Sequence, residues 1–164
     1  GATSNEITIA LSLHATCFSW WFLDAIQTKG IKPEKGIFFE GQIFDSYQFV
    51  SDIIRTAEKS IILIDNYVDD SILTLFNKRK RDIHVTILTK EIPTQLMLDL
   101  KKYNQQYPLI EIKQFDLSHD RFLIIDDKDV YHFGASLKDL GKKWFAFSKF
   151  NKEALQLLDR LTSI

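Results

Sequence analysis

The stretch Ser118-His119-Asp120-Arg121-Phe122-Leu123-Ile124-Ile125-Asp126, followed by Gly134-Ala135-Ser136-Leu137-Lys138, decides how this chain is read. Phe122 to Ile125 form an apolar run of strand length, and a histidine and an arginine stand two residues apart at its start. In a strand, residues i and i+2 share a face, so His119 and Arg121 are expected to point the same way. An imidazole can serve as nucleophile or as acid and base, and a guanidinium is a permanent, fork-shaped cation suited to phosphate. The plain alternative is a half-buried edge strand that begins with charged residues. Spacing alone leaves both open.

Working outward, apolar runs of strand length alternate with amphipathic stretches. A first strand is expected over 36–42, and Asp45 has the chemistry of an N-cap for a helix through about residue 58, with Phe49, Ile53 and Ile54 on one face. Residues 60–65 read as a strand covered on both faces, since the apolar run is unbroken. Asp69 or Asp70 is expected to cap a short helix through Phe76, and residues 83–88 form the next strand. Pro93 starts a helix through about residue 104, followed by a strand over 109–115. Strands alternating with helices indicate an α/β sheet. The order then changes. Residues 121–125 and 130–133 are strands joined by Asp126-Asp127-Lys128-Asp129, short enough for an antiparallel hairpin. A strand over 144–147 and a closing helix over 152–161 complete a mixed β-sheet flanked by helices. No internal repeat is visible, so the motif occurs once.

His119-x-Arg121-x-x-x-x-Asp126 followed by a Gly/Ser turn resembles the phospholipase D motif His-x-Lys-x-x-x-x-Asp, as an HKD variant with Arg in place of Lys. The likeness is to the single-motif bacterial endonucleases of that superfamily, and the order of elements from about residue 35 to 150 fits it. The string from Lys138 to Phe147 also resembles the C-terminal domain of bacterial proteins that carry a phage-antirepressor-type DNA-binding domain. The resemblance implies a cytoplasmic hydrolase: a phosphodiesterase or nuclease acting on nucleic acid without metal or cofactor, through a phosphohistidine. One histidine attacks phosphorus and a second protonates the leaving oxygen, which splits one hard displacement into two. With one motif per chain, the second histidine would come from another copy in a twofold homodimer.

His119, Arg121 and Asp126 occupy the motif's catalytic positions. Arg121 would clamp phosphate, and Asp126, of opposite strand parity, is expected to support rather than react. Ser136 and Lys138 would form a phosphate-binding turn. Two departures bear on turnover. A guanidinium is longer and differently shaped from an ammonium, and no downstream Glu is available to orient His119, which leaves Asp120 and Asp139 as the nearest acids. Both favour the alternative reading, a weak or inactive module of the same fold for phosphate or nucleic-acid binding or for dimerisation. Whether the chain is an enzyme turns on that point.

The bulk properties narrow the field. A chain of 164 residues with 45% hydrophobic and 26% charged content suits one soluble domain with a substantial core. A net charge of −1 gives no overall attraction to polyanions, so binding must come from local patches. Candidates are Lys78-Arg79-Lys80-Arg81, Lys101-Lys102 and Lys142-Lys143, each of which equally suits a solvated turn or helix end. The single cysteine, Cys17, excludes an intramolecular disulfide framework, which fits a reducing cytoplasm. No His, Cys and carboxylate set has metal-ligand spacing, so no metal site is expected. Gly1 to Ser4 have the look of a cloning remnant. The uncharged run from Ile7 to Leu23 is too polar for a spanning helix of about 20 residues and lacks the basic start of a signal peptide. It reads as a soluble packing element, with a helix at roughly 16–28 within an N-terminal extension, 1–34; the motif-bearing domain is expected over 35–164. No membrane partner is expected. His132 is close enough to Gly134 to approach the site, although a structural role is the simpler expectation.

Overall fold

A computed structural model describes residues 33–151 and 153–164, and in it the unbroken apolar run becomes strand β2 (Ser60–Ile64), deep inside a seven-stranded sheet. Among the described residues, chain order runs β1 (Lys35–Phe38), α1 (Ile43–Arg55), β2, α2 (Ser71–Phe76), β3 (His84–Thr89), α3 (Thr94–Gln106), β4 (Ile110–Gln114), β5 (Arg121–Ile125) and β6 (Asp129–Phe133). A 3₁₀ turn (Leu137–Asp139), β7 (Phe145–Phe150) and α4 (Glu153–Thr162) follow. The expected helix at roughly 16–28, and nearly all of the extension 1–34, lie outside the described residues.

The spatial order is β1-β7-β6-β5-β2-β3-β4. β2, β3 and β4 run parallel, while β5, β6, β7 and β1 are joined antiparallel. The expected mixed α/β sheet is therefore the fold found. Ile61, Leu63, Val85 and Ile87 are fully buried, as interior strands require. On one face Phe49 of α1 meets Phe147 at 4.4 Å and Phe38 at 5.6 Å between ring centroids. On the other, Ala154 of α4 joins Ile64, Ile124 and Val130, flanked by Leu157, Leu158 and Leu161. Both faces of β2 and β5 are thus covered, and the site must lie at the sheet's edge rather than on a face.

Local details differ from expectation for identifiable reasons. α1 begins two residues before Asp45, with Gln42 at the N-cap, and Gln42 Oε1 instead accepts the backbone N–H of Phe39 at 2.7 Å. Asp45 sits in the first turn, where a negative charge also suits the helix dipole. Asp69, not Asp70, accepts the N–H of Ser71 at the start of α2. The β5–β6 hairpin is present, with Asp126 and Asp127 both at positive φ (57° and 52°). Two such residues give the twist that favours tight hairpins, and Asp tolerates the left-handed region better than most.

Candidate active site at the sheet edge

Strand direction brings the site together. β5 is antiparallel to β2, so the start of β5 lies beside the end of β2. β6 is antiparallel to β5 and β7 to β6, which adds the end of β6 and the start of β7 to the same edge. Loops following parallel strands are where α/β folds usually place ligands. Here that edge carries a cleft of about 590 Å³ whose lining includes Tyr67, Arg121, Ser136, Lys142, Lys143 and Trp144.

Asp65 anchors this edge. It directly follows β2, is fully buried, and accepts the Ser136 hydroxyl at 2.8 Å, the Leu137 N–H at 2.9 Å and the Tyr67 N–H at 3.0 Å. A buried carboxylate is tolerable only when so satisfied. Asp65 therefore ties the β2–α2 loop to the β6–β7 loop, one on each side of Arg121. Gly141 helps to seat the second loop against α1. Its φ is +75°, and a Cβ there would fall 2.5 Å from the Cα of Ile43.

Arg121 opens β5 and lies half-buried in the cleft, with its guanidinium carbon 5.6 Å from the centroid of the Tyr67 ring. Its Nε is buried, and no acceptor reaches it among the described residues. A buried donor without a partner is uncommon, because desolvating it costs about 1–3 kcal/mol. The part of the guanidinium that is open to the cleft can donate to an anion there. Lys142 donates to Asp139 at 2.8 Å, and that hydrogen bond and carboxylate charge raise its pKa above the ordinary lysine value.

His119 lies outside the strand. The ladder stops at Arg121, whose partner Phe133 is the last residue of β6, so His119 falls in a bend and strand parity does not orient it. Its loop is held by Asn66, whose Nδ2 donates to the Ser118 carbonyl at 2.7 Å. The ring is exposed, and among the described residues no hydrogen bond or ion pair engages it. The two acids that sequence offered for orienting its ring contact other groups: an Asp120 oxygen lies 3.6 Å from His132 Nε2, and Asp139 accepts from Lys142 at 2.8 Å.

Asp126 sits at the far end of β5. Five residues at about 3.3 Å each put it roughly 16 Å along the strand from Arg121. Its carboxylate accepts the backbone N–H groups of Glu58, Lys59 and Ser60, at 3.0, 2.7 and 3.1 Å. Burial pushes its pKa up, but those three bonds and the charge of Lys59 outweigh it and leave the group below its ordinary value. Asp126 fastens the α1–β2 loop to the hairpin.

Of the expected phosphate-binding turn, Ser136 lines the cleft, although it is buried with its hydroxyl given to Asp65. Lys138 instead lines a neighbouring groove with Ile43, Tyr47 and Ile72. Lys142 and Lys143, which the sequence marks only as a basic run, take the place beside Arg121. His132 is paired with Phe122 across the hairpin, on the opposite sheet face from Arg121, and stacks on Phe150 at 5.9 Å between centroids. Arg79 is spent on structure, donating to the carbonyls of Phe76, Ile83 and Pro108 and to the Tyr103 hydroxyl.

No protein-family model matches the chain, and no curated protein does. Solved structures do. Over 80% of this chain and 93% of that one, the fold is similar to Nuc from Salmonella typhimurium, a phospholipase D family member, with a TM-score of 0.59 and 17% identity. NucT from Helicobacter pylori is similar over 79% of this chain and 91% of that one, with a TM-score of 0.54 and 15% identity. The domain thus has the phospholipase D-like fold. A polyphosphate kinase from Porphyromonas gingivalis shares it at a TM-score of 0.50 and 12% identity, with the match spanning 24% of that chain. No described helix is long and apolar enough to cross a membrane.

Proposed function

We propose that this domain is a nucleic-acid phosphodiesterase of nuclease type, built on the phospholipase D-like fold, whose site is completed by a second copy of the chain. The observation that carries the reading is the Arg121 guanidinium, held in a cationic cleft with a buried donor unsatisfied among the described residues, two positions after the exposed His119. A diester phosphate seated on Arg121 meets Lys142 and Lys143 from the β6–β7 loop, which together offset its charge and the charge that grows on the phosphoryl oxygens.

In the reaction proposed, a ring nitrogen of His119 attacks phosphorus and the ester P–O bond breaks. The partner's His119 gives its proton to the leaving oxygen. Water then attacks phosphorus while the partner's His119 removes a proton from it; the P–N bond breaks and His119 leaves as the free imidazole. Asp126 stays remote from the reacting atoms, and Ser136 orders the loop through Asp65. The roles follow the resemblance in the motif, and the exposure of His119 is what a residue shared between copies requires.

One observation favours the second reading, a binding module without turnover. Asp120 lies 3.6 Å from His132 and Asp139 accepts from Lys142, and among the described residues neither carboxylate bonds to the His119 ring. Cleavage of single- and double-stranded DNA in excess EDTA, with His119→Ala as the control, separates the two. Cleavage by the wild type that is lost on His119→Ala substitution supports the enzyme. DNA that is bound but cut no faster by wild type than by His119→Ala would sink it and leave the binding module.

A further inference from the structure

The cationic cleft is flanked by two large aromatic rings that the fold leaves in water. Trp144 is 67% exposed and Tyr67 is 57% exposed. Neither belongs to the core, and each is held in place. The Trp144 indole rests edge-on against Phe39 at 5.0 Å between centroids. Tyr67 donates its N–H to Asp65, its carbonyl lies 3.3 Å from the Ser136 hydroxyl, and its ring carries the Arg121 guanidinium. Exposed aromatics on tethered backbone, one on each loop beside a phosphate-suited cation, have the two halves of a single-strand binding surface. Cations track the backbone, and rings stack bases of any identity.

We propose that the cleft selects unpaired nucleic acid, with Trp144 and Tyr67 as stacking platforms for the bases that flank the phosphate on Arg121. The inference rests on the functional reading above and names its substrate class. In a duplex the base faces are already stacked on one another, and a ring can reach them only after unstacking, so the platforms reward single strands alone. Phosphate contacts from Arg121, Lys142 and Lys143 are the same for both forms. Discrimination therefore resides in the two rings.

The test is fluorescence anisotropy on the full chain in excess EDTA, with three probes: labelled single-stranded DNA, its duplex, and an abasic strand with the same phosphates. Single-stranded DNA is expected to bind most tightly, and the abasic strand no better than the duplex. Trp144→Ala and Tyr67→Ala are each expected to weaken single-strand binding by at least roughly tenfold, a loss toward the low end of what stacking one base contributes. Trp144→Ala should leave duplex and abasic binding unchanged, and Trp144→Phe should restore most of the loss; Tyr67→Ala, which also removes the ring beside Arg121, should weaken the single strand more than the other two probes. Equal affinity for all three probes, or a Trp144→Ala variant that weakens them alike, would overturn the stacking inference while leaving the phosphodiester site standing. Failure to bind any probe would overturn both.

Discussion

Asp65→Asn is the substitution whose effect the structure predicts most closely. Asp65 Oδ1 accepts from Tyr67 N–H, and Oδ2 accepts from both Leu137 N–H and the Ser136 hydroxyl. An asparagine has one acceptor oxygen. Turned toward Ser136 and Leu137, it sets its NH₂ against the Tyr67 N–H; turned the other way, it opposes the Leu137 N–H. Either choice loses at least one bond to a charged acceptor, worth about 1.5–3 kcal/mol, and leaves buried donors facing each other, which costs about 1–3 kcal/mol more. The loss expected is roughly 3–5 kcal/mol, a large share of a typical domain stability of about 5–15 kcal/mol. With a urea slope of about 1–3 kcal/mol per molar, the unfolding midpoint should fall by more than about 1 M. Asp70→Asn, at an exposed position with no side-chain cap bond, should change stability by less than about 0.5 kcal/mol. Indistinguishable midpoints for the two variants would show that the buried carboxylate does not staple these loops.

Three further outcomes are expected. Arg121→Ala should weaken oligonucleotide binding at low salt and reduce the slope of log affinity against log salt by about one, as loss of one phosphate contact does; an unchanged slope would place the phosphate elsewhere. Asp126→Asn keeps a residue that tolerates φ of 57° but weakens the bonds to Glu58, Lys59 and Ser60, so it should cost roughly 1–2 kcal/mol. Because the folded carboxyl titrates below its ordinary value of 3.8, its stabilisation is present above that pH and disappears as pH falls through the folded value. Wild type and variant should therefore draw together in stability only as pH falls below 3.8 and through the lower folded value, and a constant gap in acid urea melts would contradict this. Finally, equal amounts of wild type and His119→Ala, allowed to exchange subunits, should retain about a quarter of the wild-type cleavage rate if each site needs two copies of His119, and about half if sites are independent.

The sheet was legible because burial leaves direct marks on sequence. The unbroken run at 60–64 signals a strand covered on both faces, and the short, aspartate-rich connection after Ile125 signals a hairpin. Strand ends were less legible, since they depend on partners. His119 reads as part of β5 until Phe133, which pairs with Arg121, is seen to be the last residue of β6. The site was half legible. Arg121 and Ser136 carry chemistry that a motif can show, whereas the choice between Lys138 and Lys142-Lys143 depends on how the 3₁₀ turn at Leu137–Asp139 aims the chain. Asp65 has the local chemistry of a helix cap, and its true partners, Ser136 and Leu137, are about seventy residues away. Tyr67 and Trp144 have the composition of core residues, and only their exposure sets them apart.

The central claim, that His119 attacks phosphorus, is tested most directly by trapping. A strand radiolabelled at every phosphate is mixed with the chain in excess EDTA, quenched in alkali at short times and resolved under denaturing conditions. Label is expected on the protein, stable to base and lost in acid, mapped to His119 and absent from His119→Ala. Cleavage with no protein-bound label at any time, or label on another residue, would contradict it.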